Sequence, residues 1–104
     1  MWCVVSVDGR LDVNVALNRP SYQVSTYNDG YGIYYPVYAN DGGHGTNKLT
    51  GPCAVTLQQA NPWWGVDLGV ALYVTGVKFT NEDTWGQLVH RFVRRAVQIV
   101  LLWF

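Results

Sequence analysis

Asn61-Pro62-Trp63-Trp64-Gly65-Val66-Asp67-Leu68 is the stretch whose reading decides the fold. Adjacent tryptophans in extended backbone point to opposite faces, because side chains alternate along a strand. One indole then fills a core while the other covers the opposite face. Pro62 has no N–H to donate and belongs at a strand start or edge. Val66 and Leu68 share one face and Asp67 takes the other. The octapeptide therefore predicts a strand entering a β-sandwich, anchored by aromatic bulk.

Outward from it, Tyr73–Thr80 predicts a second strand, with Tyr73, Thr75, Val77 and Phe79 on one face and Val74, Gly76, Lys78 and Thr80 on the other. Val13–Leu17 alternates as a short strand, Ser21–Tyr27 continues as strand or loop, and Ala54–Leu57 predicts another short strand. Residues 28–52 are dense in Gly, Asn, Asp, Pro and Tyr, with turns at Asn28-Asp29-Gly30 and Asp41-Gly42-Gly43. Short strands separated by turn clusters argue an all-β sandwich. The run Leu88–Phe104 fits this pattern poorly and reads as a helix or one undivided strand.

Composition narrows the function classes. A chain of 104 residues suggests one domain. Its 49% hydrophobic content buries a small core, and its 13% charged content is roughly half the globular average. The formal net charge is zero, so no general attraction to nucleic acid or anionic membrane is expected. Arg91, Arg94 and Arg95 make the tail basic, but three charges are no nucleic-acid footprint. The apolar stretch 96–104 is too short to span a bilayer as a helix, and no signal peptide is visible. No phosphate loop, dinucleotide fingerprint, HExxH or CxxC occurs. Asp41, His44 and Cys53 match no nucleophile arrangement, and Glu82-Asp83 are adjacent rather than converging, so catalysis is not expected. Five Trp and seven Tyr suit a sandwich core and also a sugar site, where pyranose C–H faces stack on rings.

The octapeptide resembles the NPWWxVDL signature of F-type lectins, the fucolectin family. The resemblance extends to Asn14-Val15-Ala16-Leu17 with Arg19-Pro20-Ser21 and Ser25, to Tyr35–Gly42 with its Asp-Gly turn, and to Cys53 eight residues before Asn61. It continues through Val77-Lys78-Phe79-Thr80-Asn81 to the loop Asp83-Thr84-Trp85-Gly86. It implies a discoidin-like, galactose-binding-domain-like jelly roll that is incomplete at its C-terminus. On this basis residues 1–13 form an N-terminal extension, 14–87 the sandwich core and 88–104 an atypical C-terminal segment. A sandwich without its closing strands exposes edges that invite self-association.

The resemblance also implies a site. The family binds fucose with a His and two Arg, whose charged donors make strong hydrogen bonds to hydroxyls. Those positions fall on Val55, Glu82 and Leu88. Asp83 keeps the acidic loop position, and Trp85 replaces half of a vicinal cysteine pair and offers a stacking surface. His90 and Arg91 supply donors only if the register slips. The expectation is a carbohydrate-binding module for glycans, fucosylated ones among them, with a degenerate pocket. The alternative is a structural or protein-interaction domain on the same scaffold.

The family's structural calcium maps to Asp41 with carbonyls around Tyr38, Gly43 and Pro52. Calcium takes six to eight oxygens, and the family's C-terminal ligands have no counterpart here, so weak binding is implied. Two cysteines allow one internal bridge, Cys3–Cys53. The family's cysteine at position 53 instead looks to a C-terminal partner, so the resemblance favours two free thiols. It also implies an extracellular setting.

Overall fold

The strand begun by the two tryptophans runs longer than its signature. In the computed structural model, which describes residues 2–9, 13–43, 53–80, 87–90 and 95–103, it is β3, Trp63–Val74. Trp64, Val66 and Leu68 are fully buried, while Trp63 and Asp67 on the other face are half-buried, as the alternation predicts. Asn61 sets the entry: its φ of 53° lies in the left-handed region, where Asn is among the few residues tolerated.

Antiparallel partners flank β3. On one side is β2, Ser21–Gln23, and on the other β6, Arg95–Trp103. Gly65 faces Leu101 in the register, and a Cβ there would come within 2.6 Å of the Leu101 Cδ2. A bare backbone at this point lets Leu101 fold over the strand. The register shifts between Asp67 and Leu72, where Gly69 has φ 87° and its N–H donates to Asp67 Oδ1 at 2.8 Å. Here residues 68–71 of β3 stand against Gln98 alone on β6, so the ladder is interrupted before it resumes at Leu72.

The second sheet is β1 (Val4–Asp8), β4 (Gly76–Thr80) and β5 (Gln87–His90), antiparallel in the order β1-β4-β5. The predicted single strand Tyr73–Thr80 is therefore two. The chain changes sheet at Thr75, whose N–H donates to the Asp8 carbonyl at 2.8 Å and whose hydroxyl donates to the same oxygen at 3.1 Å. Tyr73 is 61% exposed and Val77 fully buried, although a period of two puts them on one face. A period reading assumes one sheet; a residue spent on the crossing resets the phase.

Trp64, Val66, Leu68, Val100 and Leu102 from the first sheet form one core cluster with Trp2, Val5, Val7, Val77 and Phe79 from the second layer. The architecture is an all-β sandwich of antiparallel sheets, as expected. Several local assignments change. Residues 1–13, set apart as an extension, contain β1, whose Val5 and Val7 lie in the core. Segment 88–104 is neither helix nor one strand: it gives most of β5 to one sheet and β6 to the other. Its alternation is invisible because apolar residues occupy both faces of β6, Val100 and Leu102 buried, Ile99 and Leu101 exposed.

Residues 13–17 hold a turn rather than a strand. There the Asn14 side chain accepts the N–H of Val7 at 3.0 Å and that of Ala16 at 3.1 Å, standing in for a strand partner beside β1. Of 54–57 only Ala54 pairs, exchanging both backbone bonds with Trp2 at 2.9 and 2.8 Å. Beside that pair Cys3 and Cys53 are joined in a disulfide, which corrects the free-thiol expectation. The family pairing pointed toward the C-terminus. Here the bridging of Trp2 to Ala54 brings the two cysteines, each one residue away in sequence, within reach of each other.

Candidate functional site

Val55 follows the Trp2–Ala54 bridge, and its main chain is fully engaged. Its N–H donates to the Tyr34 carbonyl at 3.3 Å, and its carbonyl accepts from the Tyr27 N–H at 2.9 Å. Gln23 ties the same crossing together: its Nε2 donates to the Tyr34 carbonyl at 3.0 Å, the Val55 carbonyl at 3.3 Å and the Thr26 hydroxyl at 3.1 Å. Ser25 extends the seam, accepting the Leu57 N–H at 2.9 Å and donating to Gln59. The half-buried isopropyl group of Val55 can offer apolar contact but no hydrogen bond.

Leu88 lies on β5, opposite Phe79, which is itself opposite Val5 on β1. Its place is thus the outer strand of the second sheet. Glu82, Asp83, Trp85 and Arg91 lie outside the described residues; His90 closes β5. Of the five expected sugar-site positions, Val55 and Leu88 are placed in the fold.

Tyr38, Asp41 and Gly43 follow one another along the 3-10 helix Pro36–Ala39 and the turn after it; Pro52 and His44 lie outside the described residues. Pro36 starts this helix, where a missing N–H costs nothing. Trp64 holds it from below: its Nε1–H donates to the Pro36 carbonyl at 2.9 Å. Next in sequence, Asn40 is 1% exposed, and its Nδ2 donates to the carbonyls of Ala16 and Arg19, both at 2.8 Å. Its own carbonyl accepts the Asn18 N–H at 2.8 Å. Asn40 therefore fixes where Asp41 stands, a role that the sequence signals only by its place before the Asp-Gly turn.

Calcium takes six to eight oxygens, and Pro52, one of the expected donors, lies outside the described residues. Asp41 is the sole carboxylate of the loop among them, and its Oδ1 already accepts the Gly43 N–H at 2.9 Å. The Tyr35 and Val37 carbonyls are taken up within the helical turn. The Asn40 Oδ1 is buried without a hydrogen-bond partner, so one further oxygen is at hand toward the six to eight that calcium takes. Among the described residues no group of three or more His, Cys, Asp or Glu side chains is gathered that could hold a metal.

The turn expected at Asn28-Asp29-Gly30 is the tip of a larger, hairpin-like turn over 27–34. Asn28 and Ile33 pair as an isolated bridge, and the Tyr34 N–H donates to the Tyr27 carbonyl at 3.0 Å. Asp29 organises the tip: Oδ1 accepts the N–H groups of Tyr31 at 2.8 Å and Gly32 at 3.0 Å, and Oδ2 accepts the Tyr34 hydroxyl at 2.7 Å. The rings of Tyr27 and Tyr34 stack with centroids 5.8 Å apart and planes at 23°. The available signal was the Asn-Asp-Gly turn set among tyrosines.

Comparison with known proteins agrees with the motif reading. The chain is 37% identical over 79 residues to Fucolectin-1 of Anguilla japonica, covering 73% of this chain and 44% of that protein. It is 33% identical over 78 residues to Fucolectin-5 of the same eel, covering 73% of this chain and 41% of that one. No family model matches the chain, and no solved structure does. The chain spans less than half the length of the curated relatives it matches. On an all-β sandwich begun by the NPWW strand, these two matches amount to an F-type lectin-like relationship.

Proposed function

We propose that this chain is a non-catalytic carbohydrate-binding module of the lectin kind, working outside the cell, with a fucose pocket that has lost its cationic donors. The observation that carries this reading is the similarity to two proteins named as fucolectins across nearly three-quarters of the chain. The Cys3–Cys53 disulfide suits an oxidising compartment. Among the described residues no helix is long and apolar enough to cross a membrane.

The loss of donors rests on Val55, Glu82 and Leu88, which stand where the resemblance expects a His and two Arg. Valine and leucine have no donor, and Glu82 brings an acceptor charge where a cation is wanted. Free L-fucose then binds weakly, well above micromolar, with residual affinity from stacking on Trp85. Calcium, on the same reading, binds weakly at Asp41 with carbonyls around Tyr38, Gly43 and Pro52.

Isothermal titration with fucose, galactose and mannose tests the proposal. Weak, poorly selective binding is expected, and the triple variant Val55→His, Glu82→Arg, Leu88→Arg should gain fucose affinity. A tight, fucose-selective response that Glu82→Ala abolishes would refute the degenerate pocket.

A further inference from the structure

Among the described residues β6 is the longest uncovered sheet edge. In the order β2-β3-β6 it pairs with β3 alone, and it is nine residues long. The other outer strands are short or flanked: β2 has three residues, β5 has four, and β1 has Asn14 and Val15 bonded beside its end. Two bonds on the far side of β3 fix which way its backbone points. The Val24 N–H donates to the Trp63 carbonyl at 3.1 Å, and the Asp67 N–H donates to the Pro20 carbonyl at 2.9 Å. Trp63, Gly65 and Asp67 therefore turn their backbone groups toward β2, and Trp64 and Val66 turn theirs toward β6, because successive residues of a strand alternate. In the register Trp64 meets Leu102 and Val66 meets Val100. Those two residues of β6 face β3, so the N–H and C=O groups of Ile99, Leu101 and Trp103 point out from the edge.

A row of open backbone groups is satisfied by another extended strand, and protein edges are ordinarily blunted against this by Lys, Pro or a bulge. From Ala96 to Trp103 the sequence has no charged residue, no Pro and no Gly. Ile99 and Leu101 are 57% and 43% exposed. We propose that β6 pairs with β6 of a second copy of this chain, antiparallel, about a two-fold axis at Leu101. The regular stretch runs from Ile99 to Trp103, after the interruption at Gln98, and Leu101 is its midpoint. The axis sets each Leu101 opposite the other and Ile99 opposite Trp103, with backbone groups already turned outward, so every pair exchanges both hydrogen bonds. Antiparallel order carries the two Arg95 residues to opposite ends, whereas parallel order would set like charges side by side. On the outer face the row Tyr22, Gly65, Leu101 continues across the axis into its own copy. On the inner face Val100 falls opposite Leu102, so the pairing covers core residues that are 5% and 6% exposed in the single chain. The contact is isologous and closes at two copies, since the edges left at either end are the three-residue strands β2.

Sedimentation velocity of the intact chain over a range of micromolar concentrations tests the pairing, together with amide exchange read residue by residue. Wild type should form a concentration-dependent dimer. The N–H groups of Ile99, Leu101 and Trp103 should gain protection as concentration rises, while those of Val100 and Leu102, bonded to β3, stay protected throughout. Leu101→Lys and Leu101→Glu each set like charges face to face on the axis and should be monomeric. Mixed in equal amounts, the two folded variants should sediment as a dimer again. Tyr73→Lys, at a site 61% exposed on β3, should leave the dimer intact. The exchange measurement needs no variant, so it decides alone if a charge at position 101 prevents folding. A wild-type chain that stays monomeric leaves the edge to a strand of some other protein and overturns the inference. So does open-ended assembly, a dimer in which Ile99, Leu101 and Trp103 still exchange freely, or a mixture of folded Leu101 variants that stays monomeric.

Discussion

The indole Nε1–H of Trp64 donates to the carbonyl of Pro36 at 2.9 Å, joining the buried start of β3 to the start of the 3-10 helix. One side chain thus fills the core and also sets the height of the loop that leads to Asp41. Trp64→Ala should cost about 3–5 kcal/mol through lost burial and the cavity left behind, enough to unfold a marginal domain. Trp64→Phe keeps most of the volume but loses the indole hydrogen bond to the Pro36 carbonyl, a loss of about 0.5–1.5 kcal/mol. Trp63→Ala, on the half-buried side, should cost less than Trp64→Ala. Urea unfolding of the three variants checks the order, and a Trp63→Ala loss exceeding that of Trp64→Ala would reverse the assignment of the core face.

The Cys3–Cys53 bridge spans a sequence separation of 50. Closing a loop of that size in the unfolded chain corresponds to roughly 4 kcal/mol in the chain-entropy treatment. Replacing both cysteines by serine, or adding reductant, should lower the denaturation midpoint accordingly. Equal midpoints with and without reductant would mean that the bridge contributes nothing to stability.

Asn61 enters β3 with φ 53°. Asn61→Gly should be nearly neutral, because glycine accepts this conformation freely. Asn61→Val should lose about 1–2 kcal/mol, because its branched Cβ crowds the backbone there. The informative measurement is the difference between these two variants; similar stabilities would mean that the positive φ is not held in solution.

Calcium at millimolar concentration should raise the melting temperature only slightly. At a free concentration equal to Kd the gain is about 0.4 kcal/mol, or about 2–3 °C in a domain this small. Asp41→Ala should remove it. A large shift at micromolar calcium, or one indifferent to Asp41→Ala, would place the ion elsewhere.

The burial of Trp64, Val66 and Leu68 was legible because a strand inside one sheet keeps its period of two, and that period is written in neighbouring residues. The crossing at Thr75 was not, since the carbonyl it answers to belongs to Asp8, far away in sequence. The disulfide escaped for the same reason: it follows from the pairing of Trp2 with Ala54, a contact that no local pattern announces. At the candidate site, Val55 was located by motif spacing alone. Its hydrogen bonds to Tyr27 and Tyr34 join segments more than twenty residues apart, and they surfaced only with the fold.

In covalent terms the oxidised chain is a lariat: a closed ring from Cys3 to Cys53 with the remaining half as its tail. β2, the tyrosine turn and the Asp41 loop all lie on the ring, whereas β3, β4, β5 and β6 lie on the tail. A single proteolytic nick anywhere between the cysteines, even in the Gly-rich stretch after Asp41, leaves one molecule of unchanged mass but for the added water. The ring opens into two arms that remain tethered beside the strand carrying the tryptophans, and only reduction lets them part.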